Sequence, residues 1–494
     1  MFESAELGHK IDKDSYDKEV PQLREDLLNA QFDLSEKGKF QVIILVGGVD
    51  GAGKGETVNL LNEWMDPRHI QVHAMGEMTD EERERPAMWR YWRASPPKGK
   101  IGVFFGSWYT DPIVRRVLKQ SSAAELNQHI EQIKHFERML TSEGALVLKF
   151  WFHLSKEVQS KRLKTLEKHP KTRWRVTALD WQRFKLYDKF RKVSEHTLRE
   201  TSTAEASWFV VEGSDARYRN LTVGKTLLQA LRERLDHPIK PVIRVAPLQP
   251  TIDQLNVLGE LDMTQKIAKK KFDTGLEKYQ GKLALLTRDP KFRKISVIAA
   301  FEGSDAGGKG GAIRRITGAL DARHYSIIPV AAPTEEERAQ PYLWRFWRNI
   351  PRIGQFTIFD RSWYGRVLVE RVEKYCTEAD WMRAYGEIND FEEQLTEDGA
   401  VVVKFWLAIT KEEQLRRFKE REKTGYKRFK ITAEDWRNRE KWDDYERAVC
   451  DMVDRTSTEI APWTLVEAND KNFARIKILK TLCERIEDAM KKVK

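Results

Sequence analysis

The chain has 494 residues, of which 40% are hydrophobic and 33% charged, so it is long enough for two or three globular domains and unlike a disordered protein. Its longest apolar runs, Val42–Val46 and Val297–Phe301, have the length of buried strands, whereas a bilayer-spanning helix needs about 20 apolar residues. The polar N-terminus carries no secretory signal, and we therefore expect a cytoplasmic location without a membrane partner.

The formal net charge of +11 indicates an anionic partner, and nucleic acid, an acidic membrane surface and a phosphate-rich substrate all fit it. The three cysteines are scattered without metal-ligand spacing, which favours a reducing compartment and places in the core. The ten histidines form no cluster, so a zinc site has no support in the sequence.

The N-terminal part of the chain predicts an amphipathic helix over residues 14–39, followed by a strand at Val42–Val46. A glycine-rich loop, GGVDGAGKGE, comes next at Gly47–Glu56. Thr79–Glu82 fits a capping box and predicts the start of a helix. The segment FFGSWYTD follows at Phe104–Asp111, and its Ser-Trp-Tyr core looks like part of a motif.

The second half of the chain repeats the first at a constant shift. The loop EGSDAGGKGG at Glu302–Gly311 corresponds to GGVDGAGKGE, and Lys309 lies 255 positions after Lys54 (309 − 54 = 255). The same shift aligns PAMWRYWR at Pro86 with PYLWRFWR at Pro341. So long an ungapped register indicates a tandem duplication in which each copy is a whole domain.

The segment Asp236–Pro250 contains four prolines and predicts an extended connector between the copies. We place the boundary near Pro247, which gives domains 1–246 and 247–494. The second copy is again predicted to open with a helix, over residues 269–294.

Apolar runs alternate with long helical stretches inside each copy. In the second copy the runs are ISVIAAF, GQFTIFD and AVVVKFWL, and TLVE after Trp463 predicts a further strand. This alternation predicts an α/β fold, with a parallel sheet covered by helices on both faces.

The loop of the second copy fits the P-loop pattern G-x-x-x-x-G-K. Backbone N–H groups near its glycines are expected to bind phosphate, and Lys309 is expected to reach over it. The glycines concerned are Gly303, Gly307, Gly308 and Gly310. Gly310 occupies the place where most P-loops carry a Ser or Thr that binds Mg²⁺, and Asp305 inside the loop is the residue we expect to face the metal or the reacting phosphoryl groups.

A second candidate group ends the run GQFTIFD. Asp360 stands at the predicted carboxyl end of a strand, where ligands bind in α/β sheets, and is expected to orient Mg²⁺ or to take a proton from the acceptor. Arg361 is expected to hold an acceptor phosphate. The first copy has Phe105 and Gly106 at these positions, so we predict that it keeps the fold and has lost catalysis.

Two basic segments follow these motifs in the second copy. Arg345 and Arg348 share one helix face by their i, i+3 spacing and are expected to contact an anion, whereas the neighbouring Trp344 and Trp347 are expected in the core. Farther along lies a cationic patch, which fits equally a mobile lid over the phosphate donor and a solvated face. The patch consists of Lys427, Arg428 and Lys430.

These segments together resemble the polyphosphate kinase 2 family, through the loop GSDAGGKG, the strand end DRSWY and the basic segment KRFK. The resemblance covers both copies. It implies a thymidylate-kinase-like P-loop fold and Mg²⁺-dependent phosphoryl transfer between inorganic polyphosphate and a nucleotide. A tandem form is similar to the branch of the family that converts AMP to ADP.

On this resemblance, Asp305 and Asp360 would bind Mg²⁺ and activate the acceptor, while Lys309, Arg361 and the lid would neutralise phosphate charge. The nucleotide would contact Arg361, Tyr364, Arg366 and Glu370. The implied partners are polyphosphate, AMP and ADP, without nucleic acid, and a homo-oligomer is compatible with the sequence.

Other functions remain open at this point. A polyphosphate:ADP phosphotransferase and an ATP-dependent nucleotide kinase on the same fold both fit the motifs. A nucleic-acid-binding P-loop protein without transfer activity also fits the charge, although the chain has no RNP-like or helix-turn-helix signature. The first copy could serve as a binding or assembly module alone.

Overall fold

The structure, a computed structural model, describes residues 1–237, 256–425, 429 and 431–493. It contains two compact units that follow the two sequence copies, except that Thr79–Trp89 groups with the second copy and Thr334–Trp344 with the first. The predicted boundary at Pro247 lies outside the described residues and stays a prediction.

The first unit is built on a sheet of five parallel strands in the order β2-β3-β1-β4-β5. The strands are β1 Val42–Gly48, β2 Ile70–Ala74, β3 Ile101–Phe105, β4 Leu146–His153 and β5 Trp208–Glu212. The helices of the first copy are α1 Lys13–Lys37, α2 Lys54–Trp64, α3 Asp80–Arg83, α4 Trp89–Arg93, α5 Thr110–Val117, α6 Ala123–Ser142, α7 Lys156–Lys168, α8 Ala178–Lys185, α9 Tyr187–Thr201 and α10 Ala216–Asp236.

The second unit has the same topology, with strand order β10-β9-β6-β8-β7. Its strands are β6 Ser296–Gly303, β7 Tyr325–Pro329, β8 Phe356–Asp360, β9 Ala400–Ala408 and β10 Trp463–Glu467. The helices of the second copy are α11 Lys269–Leu286, α12 Lys309–Thr317, α13 Glu335–Arg338, α14 Trp344–Trp347, α15 Val369–Val372, α16 Glu378–Glu397, α17 Lys411–Lys423, α18 Ala433–Glu440, α19 Trp442–Thr456 and α20 Lys471–Lys492. The predicted α/β fold with two tandem parallel sheets is confirmed.

Local sequence signals explain where several helices begin and end. Capping boxes at Thr79 and Thr334 start α3 and α13, as predicted. Helix α11 ends at Leu286, short of the predicted 294, because Pro290 cannot continue a helix and instead opens a short 3₁₀ turn.

The central strands carry the core of each unit. In the second unit all nine residues of β9 are buried, and β6 is buried up to Glu302. Because β6 lies between β8 and β9, its carboxyl end meets the carboxyl end of β8 at one edge of the sheet. The fold therefore places the loop after Gly303 next to Asp360.

The three cysteines are free thiols, of which Cys483 is buried and the other two are half-buried. Burial raises the pKa of Cys376 to about 12 and that of Cys483 to about 11. Both thiols are therefore protonated and unreactive at neutral pH, but only Cys483 lies in the core as predicted. No helix in the described part of the chain is long and apolar enough to cross a bilayer.

Candidate active site

The loop that joins β6 to α12 has the shape of a phosphate cradle. Gly303 has φ +148°, and a Cβ atom there would lie 2.6 Å from the Leu407 carbonyl oxygen, so only glycine fits. Gly308 precedes α12 with φ +114°. The Lys309 ammonium folds back and donates to the Gly303 carbonyl at 2.7 Å. Gly303 ends β6, Gly307 and Gly308 lie on the loop, and Gly310 lies on the first turn of α12, whose N-terminus favours anions.

Asp305 lies inside the loop and is tied to two other elements. Its Oδ1 atom is 3.3 Å from Arg361 Nη2, and its Oδ2 atom accepts a hydrogen bond from Asn438 on α18 at 2.9 Å. Only 14% of the side chain is exposed. Asn438 was not predicted from the sequence, and it connects the helix that follows the predicted lid to the phosphate loop.

Asp360 is the last residue of β8 and pairs with Phe301 of β6. Arg361 follows it in the left-handed region, with φ +66°, and its backbone N–H donates to the Phe301 carbonyl at 3.0 Å. A left-handed conformation is unfavourable for a residue with a Cβ atom, and such residues concentrate at functional sites.

The charges of the loop and of the strand end act on one another. Burial lowers the pKa of Lys309, and the carboxylates of Asp305, Glu302 and Asp360 oppose that shift. Burial alone would lower the pKa of Arg361, but the carboxylates of Asp305, Glu302, Glu434 and Asp360 together outweigh it and the pKa is raised. Asp305, Lys309, Asp360 and Arg361, the four predicted catalytic residues, are thus close enough to interact electrostatically.

Glu302 belongs to this group and was not predicted. The side chain is buried, and its Oε1 atom accepts hydrogen bonds from the Ser362 backbone N–H at 2.7 Å and from the Ser362 hydroxyl at 2.9 Å. Burial raises the pKa of Glu302 even though Lys309 and Ser362 act to lower it. The sequence did contain one sign that Glu302 is special. The acidic residue is present only in the copy that also has Asp360 and Arg361, since the first copy has Gly47 at this position.

Arg417 on α17 is a second residue that sequence reasoning missed. It is buried, and its guanidinium donates to the loop carbonyls of Ala306 at 2.9 Å and Gly307 at 3.2 Å, and to the carbonyl of Ala468 at 2.6 Å. Arg417 therefore fixes the back of the phosphate loop. Arg417 is one of several basic residues of α17, so the sequence of this helix did not distinguish it from its solvent-exposed neighbours.

Tyr364, predicted to contact the nucleotide, is fully buried. Its hydroxyl donates to Glu392 at 2.7 Å and receives a hydrogen bond from Lys404 at 2.8 Å, while Trp363 donates to the same carboxylate at 3.0 Å. The first copy repeats this cluster with Tyr109, Glu137, Lys149 and Trp108. We therefore assign Tyr364 a structural role, which explains why Ser-Trp-Tyr persists in a copy without Asp360.

Two of the other predicted nucleotide contacts form an ion pair, since Arg366 lies 2.8 Å from Glu370. Of the predicted polyphosphate-binding arginines, Arg345 donates to the Ala331 carbonyl at 3.0 Å and Arg348 is exposed. Trp344 and Trp347 are buried, as predicted. A part for these four charged residues in substrate binding remains a prediction.

The predicted lid residues Lys427, Arg428 and Lys430 lie outside the described residues. Helix α18 begins just after them with a capping box at Thr432. Besides Asn438, this helix presents Arg437, which lies 3.1 Å from the buried carboxylate of Glu373. Lys441 lies 3.0 Å from the same carboxylate.

The phosphate loop of the first copy has a different set of contacts. Lys54 donates to the carbonyls of Gly48 and Val49 at 2.5 and 3.1 Å, as Lys309 does to Gly303. Glu56, however, replaces Gly311 at the start of α2, and its carboxylate lies 3.0 Å from a buried arginine, Arg219.

The same carboxylate also lies 3.6 Å from Arg162 and 3.8 Å from Arg175. Arg175 is the first-copy counterpart of Lys430 in the predicted lid (430 − 175 = 255). Because Glu56 already partly neutralises these cations, and because Phe105 and Gly106 offer no charge, the first copy lacks the electrostatic arrangement of the second.

Within the described ranges, no group of three or more His, Cys, Asp or Glu side chains could hold a metal ion unaided. The two carboxylates of Asp305 and Asp360 suit Mg²⁺ nonetheless, since this ion is usually bound by one or two carboxylates together with substrate phosphates and water. Each Asp305 oxygen accepts one bond in the structure, which leaves lone pairs for a cation.

Comparisons with known proteins agree with the fold and with the duplication. The polyphosphate kinase 2 family model matches residues 10–238 and again residues 266–494. A polyphosphate:AMP phosphotransferase of Pseudomonas aeruginosa is 60% identical over 100% of both chains. One from Acinetobacter johnsonii is 40% identical over 94% of this chain and 96% of the relative.

Among solved structures, a Pseudomonas aeruginosa crystal structure titled as polyphosphate kinase 2 superimposes with a TM-score of 0.91. It is 58% identical and covers 100% of both chains. The family model accounts for nearly all of both copies, and the similar relatives are alike over their whole length. This chain belongs to the polyphosphate kinase 2 family.

Proposed function

We propose that this chain is a Mg²⁺-dependent polyphosphate:AMP phosphotransferase whose chemistry takes place in the second copy. The observation that carries the proposal is the grouping of Asp305, Lys309, Asp360 and Arg361 around one phosphate loop. Relatives similar over their full length are named for this activity. Phosphoryl transfer requires mainly positioning and charge neutralisation, and this grouping supplies both.

The proposed reaction joins an oxygen of the AMP phosphate to the terminal phosphorus of polyphosphate. The bond between that phosphorus and the next bridging oxygen breaks, and the shortened chain leaves with the negative charge. Asp305 and Asp360 would hold Mg²⁺, which supplies charge neutralisation on the phosphoryl oxygens when bound. Lys309 and Arg361 would hold phosphate oxygens of the two substrates in line.

We propose that the polyphosphate chain binds along basic side chains outside the loop. Arg345 and Arg348 come from the segment before β8, and the predicted lid adds Lys427, Arg428 and Lys430. A polyphosphate carries a charge on each phosphate, so its binding should depend on salt in the way that nucleic-acid binding does. Arg366 and Glu370 are the proposed nucleotide contacts beside Arg361.

We propose that the first copy does not catalyse transfer. Phe105 and Gly106 cannot bind a cation or a phosphate, and Glu56 pairs with arginines that would otherwise be available to an anion. The domain boundary near Pro247, a cytoplasmic location, a lack of nucleic-acid and membrane partners, and a homo-oligomeric state remain predictions.

The experiment that tests the proposal measures ADP formation from AMP with either polyphosphate or ATP as donor, each with and without Mg²⁺. We expect ADP with polyphosphate and Mg²⁺, and none when Mg²⁺ is removed by a chelator. ADP formation from AMP with ATP as donor, and none with polyphosphate as donor, would indicate an ATP-dependent nucleotide kinase. Phosphorylation of ADP in preference to AMP would indicate a polyphosphate:ADP phosphotransferase.

A further inference from the structure

Glu302 is a buried carboxylate immediately before the phosphate loop. It has 6% of its surface exposed, and both hydrogen bonds described for its Oε1 atom come from Ser362, at 2.7 Å from the backbone N–H and 2.9 Å from the hydroxyl. Burying a carboxylate is unfavourable unless hydrogen bonds and nearby charges compensate it. The stability of the core therefore does not explain why a carboxylate, rather than an apolar residue, occupies this buried position.

The hydrogen bonds of Glu302 hold a turn in an unfavourable conformation. Ser362 follows Arg361, whose φ of +66° places its backbone in the left-handed region. On the other side of Arg361 lies Asp360, at the end of β8. The turn therefore begins at the end of β8 and ends at Ser362, whose backbone N–H and hydroxyl both donate to Glu302. The side chains of Asp360 and Arg361, which we propose to be catalytic, belong to this turn.

The first copy shows what the same turn does without the carboxylate. Gly47 replaces Glu302, and the backbone N–H of Ser107, the counterpart of Ser362, donates to the Thr110 hydroxyl at 3.0 Å. Gly106 then adopts the left-handed conformation, with φ +81°. The turn thus folds without a glutamate when it carries no catalytic side chain.

We propose that Glu302 is a positioning residue for phosphoryl transfer, which fixes the turn of Asp360 and Arg361 through its two hydrogen bonds to Ser362. The inference rests on the proposed function. It assigns the acidic residue before the loop to the catalytic arrangement of the second copy, and it accounts for the loss of this residue in the copy that has also lost Asp360 and Arg361.

The test compares Glu302→Ala with Glu302→Gln in the full chain. Alanine removes both hydrogen bonds, so kcat for AMP phosphorylation should fall about 100-fold, the usual effect of a misplaced catalytic group, with the KM for polyphosphate changing less than about threefold. Glutamine retains an oxygen that can accept both bonds, and it should keep at least about a third of the wild-type kcat. Loss of kcat in both variants alike, or in neither, would overturn the proposal.

Glu212→Ala is the matched control. Glu212 is also a buried carboxylate at a strand end, accepting from the backbone N–H of Gly8 and from the Ser214 hydroxyl, but it lies in the first copy. Both Glu212→Ala and Glu302→Ala remove the acceptor of buried or half-buried hydrogen bonds and should lower the thermal unfolding midpoint, but Glu212→Ala should leave kcat within about twofold of wild type. If Glu212→Ala lost as much kcat as Glu302→Ala, the loss would be a general effect of removing a buried carboxylate, and the proposed role of Glu302 would be contradicted.

Ser362→Ala keeps the proposal testable if Glu302→Ala does not fold. This variant removes the hydroxyl bond and retains the backbone bond, so kcat should fall about tenfold. An unchanged kcat in Ser362→Ala would overturn the proposal. A wild-type protein without polyphosphate-dependent activity would instead refute the proposed function, so the two failures are distinct.

Discussion

Substitutions of Arg361 can separate two effects of this residue, its proposed role in phosphoryl transfer and the effect of its strained backbone on stability. The residue combines a left-handed backbone, with φ +66°, and a guanidinium 3.3 Å from Asp305. Its counterpart Gly106 also has a φ in the left-handed range, +81°, and no side chain. The variants Arg361→Gly and Arg361→Ala therefore both remove the guanidinium, and only glycine relieves the backbone strain.

The magnitudes follow from three effects. Relief of a left-handed conformation stabilises the protein by about 1–2 kcal/mol, whereas the conformational freedom of glycine in the unfolded chain costs about 0.5–1 kcal/mol. The ion pair with Asp305 contributes only about 0–1 kcal/mol, because 46% of the Arg361 side chain is exposed. Arg361→Gly should thus change the free energy of unfolding by roughly −1 to +1.5 kcal/mol and be about 0–1.5 kcal/mol more stable than Arg361→Ala.

Activity should respond differently. Removing a charge that stabilises a developing oxyanion typically lowers turnover by about 100-fold or more, and both variants should lose that much ADP formation. Urea unfolding of the two variants and initial rates with saturating polyphosphate and AMP provide the measurements. The reasoning would be refuted if Arg361→Ala were clearly more stable than Arg361→Gly, or if either variant kept near-wild-type turnover.

Two further predictions concern the division between the copies and the thiols. Lys309→Ala should lower the initial rate of ADP formation at least about 100-fold, whereas Lys54→Ala should leave it largely intact, and equal losses would contradict the assignment of catalysis to the second copy. Because burial raises the pKa of Cys376 to about 12 and of Cys483 to about 11, both thiols stay protonated below those values. Alkylation of the native protein at pH 8 should therefore be slow at both, rise only toward pH 11–12, and become fast in urea, and rapid native labelling of either residue would disprove it.

Most of the fold follows from local patterns in the sequence. The strands predicted from ISVIAAF, GQFTIFD and AVVVKFWL are central strands, whose burial on both faces requires continuous apolar runs. The strands β2 and β7 were not predicted, because most of their residues, Val72 and Ile327 among them, are exposed and form no continuous apolar run. Such strands form because the adjacent strand offers hydrogen bonds, which no local pattern reveals.

The positions of the candidate site residues in the fold were predictable where a local pattern fixes them, as with Lys309 after its glycine loop and Asp360 at a strand end. The role of a residue was not predictable where it depends on the tertiary environment. Tyr364 belongs to a motif but is buried with Glu392 and Lys404, and Arg417 looks like any other basic residue of its helix. Only the spatial arrangement distinguishes a core residue from a binding residue in these cases.

The most direct test of the central claim is the initial rate of ADP formation from AMP, polyphosphate and Mg²⁺ by Asp360→Asn. Asparagine keeps the size of the side chain and removes the charge proposed to bind Mg²⁺ and activate the acceptor, so the rate should fall at least about 1,000-fold while the thermal unfolding midpoint stays near that of the wild type. A rate above about a tenth of the wild-type value would show that transfer does not depend on this carboxylate and would contradict the assignment of the active site to the second copy.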